Sequence, residues 1–220
     1  MNLYAVQEIV AHSDSIWVAK FSPCGNYLAT GGKDACLKVW QVRQNLSSNN
    51  LLDENQTENN PTRQQQQNAA GGGGDSKQID LSLFESFPTY EFREHANDIV
   101  DISWNDSSQN PKKENHILSC SLDSIVLLWS LQSETSVPIA FFNHDEVPTS
   151  ISFAPFHQDT FVSGCLDGVI RLWHIKKPQK SFFADRVQSN EKITTLCFSP
   201  DSTWLVVGMA TVGICQIYTH

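Results

Sequence analysis

The chain lacks long apolar runs, an excess of basic residues and closely paired cysteines. None of its apolar stretches approaches the ~20 residues that a membrane-spanning helix needs, so direct membrane insertion is not expected. Asp and Glu number 24 against 15 Lys and Arg, which gives a formal net charge of −9. That balance argues against binding nucleic acid or an anionic membrane surface by bulk charge. The six cysteines form no C-x-x-C pair, so we expect small buried thiols and no zinc site.

The amino terminus also lacks a charged segment followed by an apolar one. The first residues, Met1 to Tyr4, therefore predict no signal peptide, and the expected localisation is cytoplasmic.

Aromatic residues are missing from the whole segment between Gln41 and Leu83, which contains runs of four Gln and four Gly. Such a segment cannot bury enough apolar surface to offset the entropy lost on ordering. Residues 44–78 are accordingly predicted to be a disordered Gln/Asn/Gly-rich insertion. They separate residues 1–43, an N-terminal outer strand and the first strands, from residues 79–220, which hold the remainder. The Gly run lacks the G-K-[ST] order of a phosphate-binding loop.

What the chain does contain is one spacing repeated three times. A His is followed nine residues later by an aromatic residue, then by an Asp, and then by a Trp six residues after the Asp. These stretches are His12–Trp40, His95–Trp129 and His144–Trp173. Within each, apolar and polar residues alternate over short runs, which predicts strands. Four antiparallel strands per unit cannot bury both faces alone, so neighbouring units must stack, and radial stacking gives an all-β propeller.

Each unit also has a hydroxyl residue four positions before its Asp. A chain of hydrogen bonds from Asp to His to hydroxyl to Trp indole would satisfy four buried polar groups. The predicted tetrads are His12, Thr30, Asp34 and Trp40; His95, Ser119, Asp123 and Trp129; and His144, Ser163, Asp167 and Trp173. An active site normally occurs once, and the chain has no G-x-S-x-G elbow, so we expect no catalytic residue and no enzymatic activity.

These units resemble the WD40-repeat (G-beta-like) family, whose blades carry such a tetrad, and Gly164–Trp173 matches its signature most closely. The Gly expected before each His is absent. A fourth unit around Phe198 keeps the strand pattern but lacks the tetrad. The resemblance implies a WD40 β-propeller with four recognisable blades, and we expect them to be part of a seven-bladed propeller. Closure on four blades and completion by a second chain are the alternatives.

The order of features is similar to that of the Rab-GTPase-binding WD-repeat proteins related to rabphilin. A first blade interrupted by a long insertion is followed by Phe87–Pro88, Tyr90–Phe92, His95–Trp104 and Phe161–Gly168, with a degenerate last unit. The resemblance implies a non-catalytic interaction scaffold that binds other proteins, among them a small GTPase, in vesicle or endosome trafficking. It places the protein in the cytoplasm, peripheral to endosomal or Golgi membranes. A substrate receptor or signalling-complex adaptor is the alternative; no cofactor, metal or small-molecule ligand is expected.

The variable residues beside the repeated pattern are the candidate partner-binding residues. The residue before each repeated Asp lies on a tight turn, and in two units it is a leucine, which suggests either an exposed interface or a contact with the next blade. Charged residues of the His loops would share that end of the blades. The candidates are Asp14, Lys33, Asp98, Leu122, Asp145, Leu166 and Lys192.

Overall fold

The computed structural model describes residues 5–43, 82–105, 115–133, 135–155, 157, 159–179, 181, 183–186, 191–210 and 215–219. These residues form an all-β structure, and no helix among them could cross a membrane. The predicted insertion at 44–78 lies outside the described residues, within the connection between the third and fourth strands of the first sheet.

Four antiparallel sheets follow one another along the chain, and in each the strands pair in sequence order. The first sheet contains β1 (Ile16–Phe21), β2 (Tyr27–Gly32), β3 (Leu37–Gln41) and β4 (Tyr90–Phe92). The second contains β5 (Ile99–Trp104), β6 (His116–Ser121), β7 (Ile125–Ser130) and β8 (Ala140–Asn143). The third contains β9 (Pro148–Phe153), β10 (Thr160–Cys165), β11 (Val169–His174) and β12 (Phe183–Arg186). The fourth contains β13 (Ile193–Phe198), β14 (Trp204–Met209) and β15 (Cys215–Thr219).

Apolar clusters fill the space between consecutive sheets, so the sheets stack face to face. Residue alternation along β6 shows why: Ile117 packs into the cluster shared with the first sheet, and Leu118 into the cluster shared with the third. A third cluster joins Val162 of the third sheet to Ile193 of the fourth. The second strands of the two middle sheets, β6 and β10, are therefore buried on both faces, as stacking of incomplete units requires.

Close packing between sheets depends on glycine at one repeated position of the second strand. A Cβ atom added to Gly31 would lie 2.7 Å from Ile99 Cγ2, and one added to Gly164 would lie 2.6 Å from Ile193 Cγ2. In both cases the backbone of one sheet approaches the first strand of the next sheet. These glycines thus set the distance between the first and second sheets and between the third and fourth, whereas Cys120 stands at the equivalent position of the second sheet.

The first strand of every sheet carries an irregularity in the same place. Register shifts occur between Ile16 and Val18, between Ile99 and Asp101, where Cys165 pairs with Pro148, and between Ile193 and Thr195. The residue left out of the pairing is Trp17, Val100, Thr149 or Thr194, respectively. Such bulges turn a side chain away from the regular alternation of a strand.

The N-terminal outer strand expected before the first sheet is not formed by residues 5–10. Instead, the side-chain amide of Gln7 donates to Phe84 O at 2.8 Å and accepts from Phe84 N at 2.9 Å. The Gln7 side chain thus makes both of its hydrogen bonds with the backbone of one residue, Phe84. A paired strand would instead form backbone hydrogen bonds with several residues of its neighbour. Among the described residues, β15 consequently has β14 as its strand partner.

Candidate partner-binding rim

The first sheet brings its four tetrad residues together. His12 Nδ1 lies 2.9 Å from Asp34 Oδ1, and His12 Nε2 lies 2.8 Å from Thr30 Oγ1. The Trp40 indole N–H donates to Thr30 Oγ1 at 3.1 Å. If the Thr30 hydroxyl donates its hydrogen bond to Nε2, then Nδ1–H donates to the Asp34 carboxylate. Burial raises the pKa of Asp34, but hydrogen bonds from His12 and the Ser13 amide lower it below its ordinary value.

The second sheet repeats this arrangement. His95 Nδ1 and Nε2 lie 2.8 Å from Asp123 Oδ2 and 2.8 Å from Ser119 Oγ, and Trp129 donates to the same hydroxyl at 2.9 Å. Burial again raises the pKa of Asp123, and the bonds from His95 and the backbone lower it overall. Each of these two tetrads ties the His loop to the turn between the second and third strands.

The third sheet departs from the predicted tetrad at its carboxylate. His144 Nε2 bonds Ser163 Oγ at 2.8 Å and Trp173 donates to that oxygen at 2.9 Å, but His144 Nδ1 donates to the backbone oxygen of Phe142 at 2.9 Å. Asp167 Oδ2 instead accepts from Arg171 Nη2 at 2.9 Å. The predicted bond from His144 to Asp167 is therefore replaced by one to a carbonyl.

The reason is a guanidinium that binds Asp167 and that the other two sheets lack at the equivalent position. Arg171 stands four residues after Asp167, is itself buried, and is held between Asp167 and Cys165 Sγ. The equivalent positions are Lys38, which pairs with Glu91, and Leu127. A guanidinium competes for a carboxylate better than a neutral imidazole does. His144 has no hydrogen bond to the Asp167 carboxylate, and burial lowers its pKa to about 4.

One backbone hydrogen bond recurs in all four sheets and brings the candidate partner-binding residues to the same end. The backbone amide of the turn residue before the Asp position donates to the carbonyl oxygen of the residue that immediately precedes the bulged strand. The pairs are Lys33 N to Ser15 O at 2.9 Å, Leu122 N to Asp98 O at 3.0 Å, Leu166 N to Val147 O at 3.0 Å, and Ala210 N to Lys192 O at 3.0 Å. We call these turns and the adjoining His loops the rim.

The predicted rim residues differ in how freely they face solvent. Leu122 is 40% exposed, whereas Leu166 is partly buried. Leu122 therefore agrees better than Leu166 with the hypothesis of an exposed interface. Asp14 lies 3.4 Å from Lys33 Nζ. The side chain of Asp145 is 97% exposed and lies 3.8 Å from Arg171. Lys192 is exposed at the fourth sheet.

Sequence reasoning missed a rim residue, Trp17. The side chain is 56% exposed at the bulge of β1, and its indole N–H donates to Asp98 Oδ2 of the next sheet at 2.9 Å. The equivalent positions hold Val100, Thr149 and Thr194. The sequence signal that could have identified Trp17 is that only one of the four equivalent positions holds an aromatic residue.

Sequence reasoning also missed a polar link between the first strands of the four sheets. Asp101 Oδ1 lies 2.6 Å from Lys20 Nζ, and Asp101 Oδ2 accepts from Ser150 Oγ and Ile151 N, both at 2.9 Å. Ser150 Oγ in turn accepts from Leu196 N at 3.2 Å. This link crosses three sheet boundaries and therefore ties the first strands of all four sheets together.

The cysteines match the expectation of buried thiols only in part. Cys36, Cys120 and Cys165 are buried, and burial raises the pKa of Cys36 to about 11 and that of Cys165 to about 12. Cys24 and Cys197 are exposed, because one lies in a turn and the other on a side of β13 that no described sheet covers. In the described part of the chain, no cluster of three or more His, Cys, Asp or Glu residues could hold a metal ion.

Comparison with known proteins identifies the repeated unit. A family described as "WD domain, G-beta repeat" matches residues 4–41, 86–130, 136–174 and 177–211. The chain belongs to the WD40-repeat family. Its sheets are blades of the β-propeller architecture, as the all-β fold and the sequence resemblance both predict.

Three relatives show how far the similarity reaches. The chain is 32% identical to an uncharacterized WD repeat-containing protein of Schizosaccharomyces pombe, covering 93% of this chain and 30% of the relative. It is 28% identical to WD repeat-containing protein 44 of Xenopus laevis, covering 94% and 23%. It is 26% identical to the 2-deoxy-glucose resistant protein 2 of Saccharomyces cerevisiae, covering 99% and 28%. The chain thus spans less than a third of each relative, and their names do not bear on the narrower resemblance to Rab-binding proteins.

Proposed function

We propose that this WD40 chain is a non-catalytic scaffold whose rim binds partner proteins. The observation that carries the proposal is the repeated backbone hydrogen bond at the rim, which holds Lys33, Leu122, Leu166 and Ala210 at one end of consecutive blades. Backbone atoms hold each turn, so the side chains there are free to differ and to face a partner. Loops held on a rigid scaffold are where proteins commonly place their binding residues.

The geometry of the tetrads supports the absence of catalysis. Thr30, Ser119 and Ser163 are all buried, and each accepts a hydrogen bond from a tryptophan indole. A nucleophilic hydroxyl must reach the substrate and must lie beside donors for the oxyanion. These hydroxyls sit within strands under the rim, so their hydrogen bonds serve the fold.

The test is partner capture by the tagged chain from cell extract, compared by quantitative mass spectrometry between the parent and a rim variant, Leu122→Glu with Leu166→Glu. A matched control, Phe87→Glu with Val137→Glu, places the same charges on exposed apolar residues in the connections between the third and fourth strands, at the opposite end of the blades. We expect the rim variant to lose its partners and the control to keep them, with both variants folded by thermal melt. Equal capture by both folded variants would reject the rim as the binding surface.

We further propose that one of the partners is a small GTPase and that the protein acts in vesicle or endosome trafficking, in the cytoplasm at the surface of endosomal or Golgi membranes. The order of motifs from the interrupted first blade to the degenerate last unit supports this narrower role. Direct binding to purified small GTPases loaded with GDP or with a non-hydrolysable GTP analogue tests it. Binding that depends on the nucleotide supports the role, whereas capture of other proteins without any GTPase binding favours a substrate receptor or adaptor.

A further inference from the structure

We propose that the patch formed by Trp17, Asp98 and Leu122 binds a basic and apolar peptide segment of a partner protein. An Arg or Lys side chain of the partner lies over the Trp17 indole and pairs with Asp98, and a neighbouring apolar side chain contacts Leu122. The inference rests on the proposed rim function, because it names the chemistry of the segment that the rim accepts.

The three residues are contiguous although they come from two blades. The Trp17 indole N–H donates to Asp98 Oδ2 at 2.9 Å, and the backbone oxygen of Asp98 accepts from Leu122 N at 3.0 Å. Asp98 therefore contacts Trp17 through its side chain and Leu122 through its backbone, so the patch spans the boundary between the first and second blades.

The bulge in β1 is what exposes the indole. Val18, the next residue, resumes the regular pairing and is buried against the second blade. Trp17 is turned out of this alternation, and the hydrogen bond to Asp98 fixes the orientation of its ring. A tryptophan that is both 56% exposed and held in place loses little entropy when a partner covers it. Such anchors dominate the energy of protein interfaces.

Two groups of the patch, a carboxylate oxygen of Asp98 and the face of the Trp17 ring, can bind a cation. Asp98 Oδ2 is used by Trp17, while Asp98 Oδ1 makes no hydrogen bond within the part of the chain that the structure describes. The indole N–H is already satisfied, so the ring offers its face. A cation beside an indole face and a carboxylate oxygen gains from both.

Charge around the patch selects a basic over an acidic partner. The adjacent rim carries the exposed acids Asp14, Asp145 and Glu146, and the nearby cation Lys33 is 3.4 Å from Asp14. The whole chain has a net charge of −9. An acidic segment would be repelled, whereas a basic one is attracted at long range and then held by the patch.

Position separates this patch from the apolar surface at the open face of the first blade. Phe21, at the other end of β1, belongs to that face, which no described sheet covers. Trp17 is bonded to the second blade instead. The inference therefore concerns the rim alone.

Fluorescence anisotropy with a short, capped and labelled peptide of alternating arginine and leucine tests the proposal. Matched peptides carry glutamine or glutamate in place of arginine. We expect the arginine peptide to bind and Trp17→Ala to weaken it by about tenfold or more, although this change leaves the charge of the protein unaltered. Asp98→Asn should weaken it by about fivefold. Trp204→Ala is the control, because Trp204 is an exposed tryptophan on the fourth blade, away from the patch.

Three results would overturn the inference: no binding of the arginine peptide, equal binding of the glutamate peptide, or equal losses for Trp17→Ala and Trp204→Ala. Trp17→Phe keeps an aromatic ring at the site and separates loss of the ring from loss of fold, since it should retain more binding than Trp17→Ala. If peptide binding fails while the Leu122 and Leu166 variant still loses partners, the rim function stands and only the basic-segment assignment falls.

Discussion

The hydroxyl of Ser150 donates a hydrogen bond of 2.9 Å to the carboxylate of Asp101 across the boundary between the second and third blades. The same hydroxyl accepts from Leu196 N of the fourth blade, and the same carboxylate meets Lys20 of the first. One carboxylate and one hydroxyl thus connect strands that are far apart in sequence. Both side chains are buried, so water cannot easily replace either partner.

Removing the carboxylate charge of Asp101 is predicted to destabilise the assembled blades. Asp101→Ala leaves Ser150 Oγ and Ile151 N without their acceptor in a buried site, which should lower the free energy of unfolding by about 2–4 kcal/mol. Lys20→Met removes only a half-exposed partner and should cost less than about 1 kcal/mol. Urea denaturation of both variants measures the difference, and equal costs would show that the buried bonds of Asp101 add nothing beyond its ion pair.

Acid should destabilise the protein through His144 in a defined pH window. Burial lowers its pKa in the folded state to about 4 from an ordinary 6.5, so the unfolded chain binds the proton more readily. The stability that depends on a neutral His144 is present above pH 6.5 and is progressively lost as the pH falls toward 4, by about 2–3 kcal/mol in all. The lowered pKa values of Asp34 and Asp123 act at lower pH, below their ordinary 3.8.

Stability measured against pH for His144→Gln checks this window. The variant should show a shallower loss between pH 6.5 and 4, while the exposed control His157→Gln should follow the parent. A parent-like slope in His144→Gln would assign the acid sensitivity to another group.

The Ser119 hydroxyl, which both His95 and Trp129 of the second tetrad contact, is predicted to contribute strongly to stability. Ser119→Ala leaves the Trp129 indole N–H without an acceptor and His95 Nε2 without a donor, both in the core, at a predicted cost of about 2–4 kcal/mol. Ser119→Thr keeps the hydroxyl, as Thr30 does in the first tetrad, and should retain most of the stability. Thermal unfolding of the pair measures it; similar melting temperatures for the Ala and Thr variants would contradict the predicted role.

Adding one methyl group at Gly31 should force the first and second blades apart. The new Cβ would lie 2.7 Å from Ile99 Cγ2, and we expect Gly31→Ala to cost about 1–3 kcal/mol. In an Ile99→Ala background the same change should cost much less, because the obstructing atoms are gone. A double-mutant cycle gives this coupling directly, and additive costs would mean that the contact relaxes without strain.

Local repetition explains why much of this fold could be predicted. The spacing that relates His12 to Trp40 recurs, so strands and tetrads follow from one pattern, and two of the three tetrads form with every bond expected of them. Asp167 departs because Arg171 competes for it, which depends on side-chain packing and not on spacing. Trp17 and Asp101 act across blade boundaries, and the repeat within a blade contains no information about which residues of two blades meet.

The backbone bond that anchors each rim turn has a consequence for how this surface can change. Its donor is an amide N–H, which every residue except proline supplies, so Lys33, Leu122, Leu166 and Ala210 satisfy the same contact with their differing side chains. Substitution at these positions leaves the anchoring bond intact, and one turn can be altered without adjusting the others. New binding specificities can therefore be installed position by position on an unchanged framework, by natural drift or by library selection, with proline as the one residue to leave out.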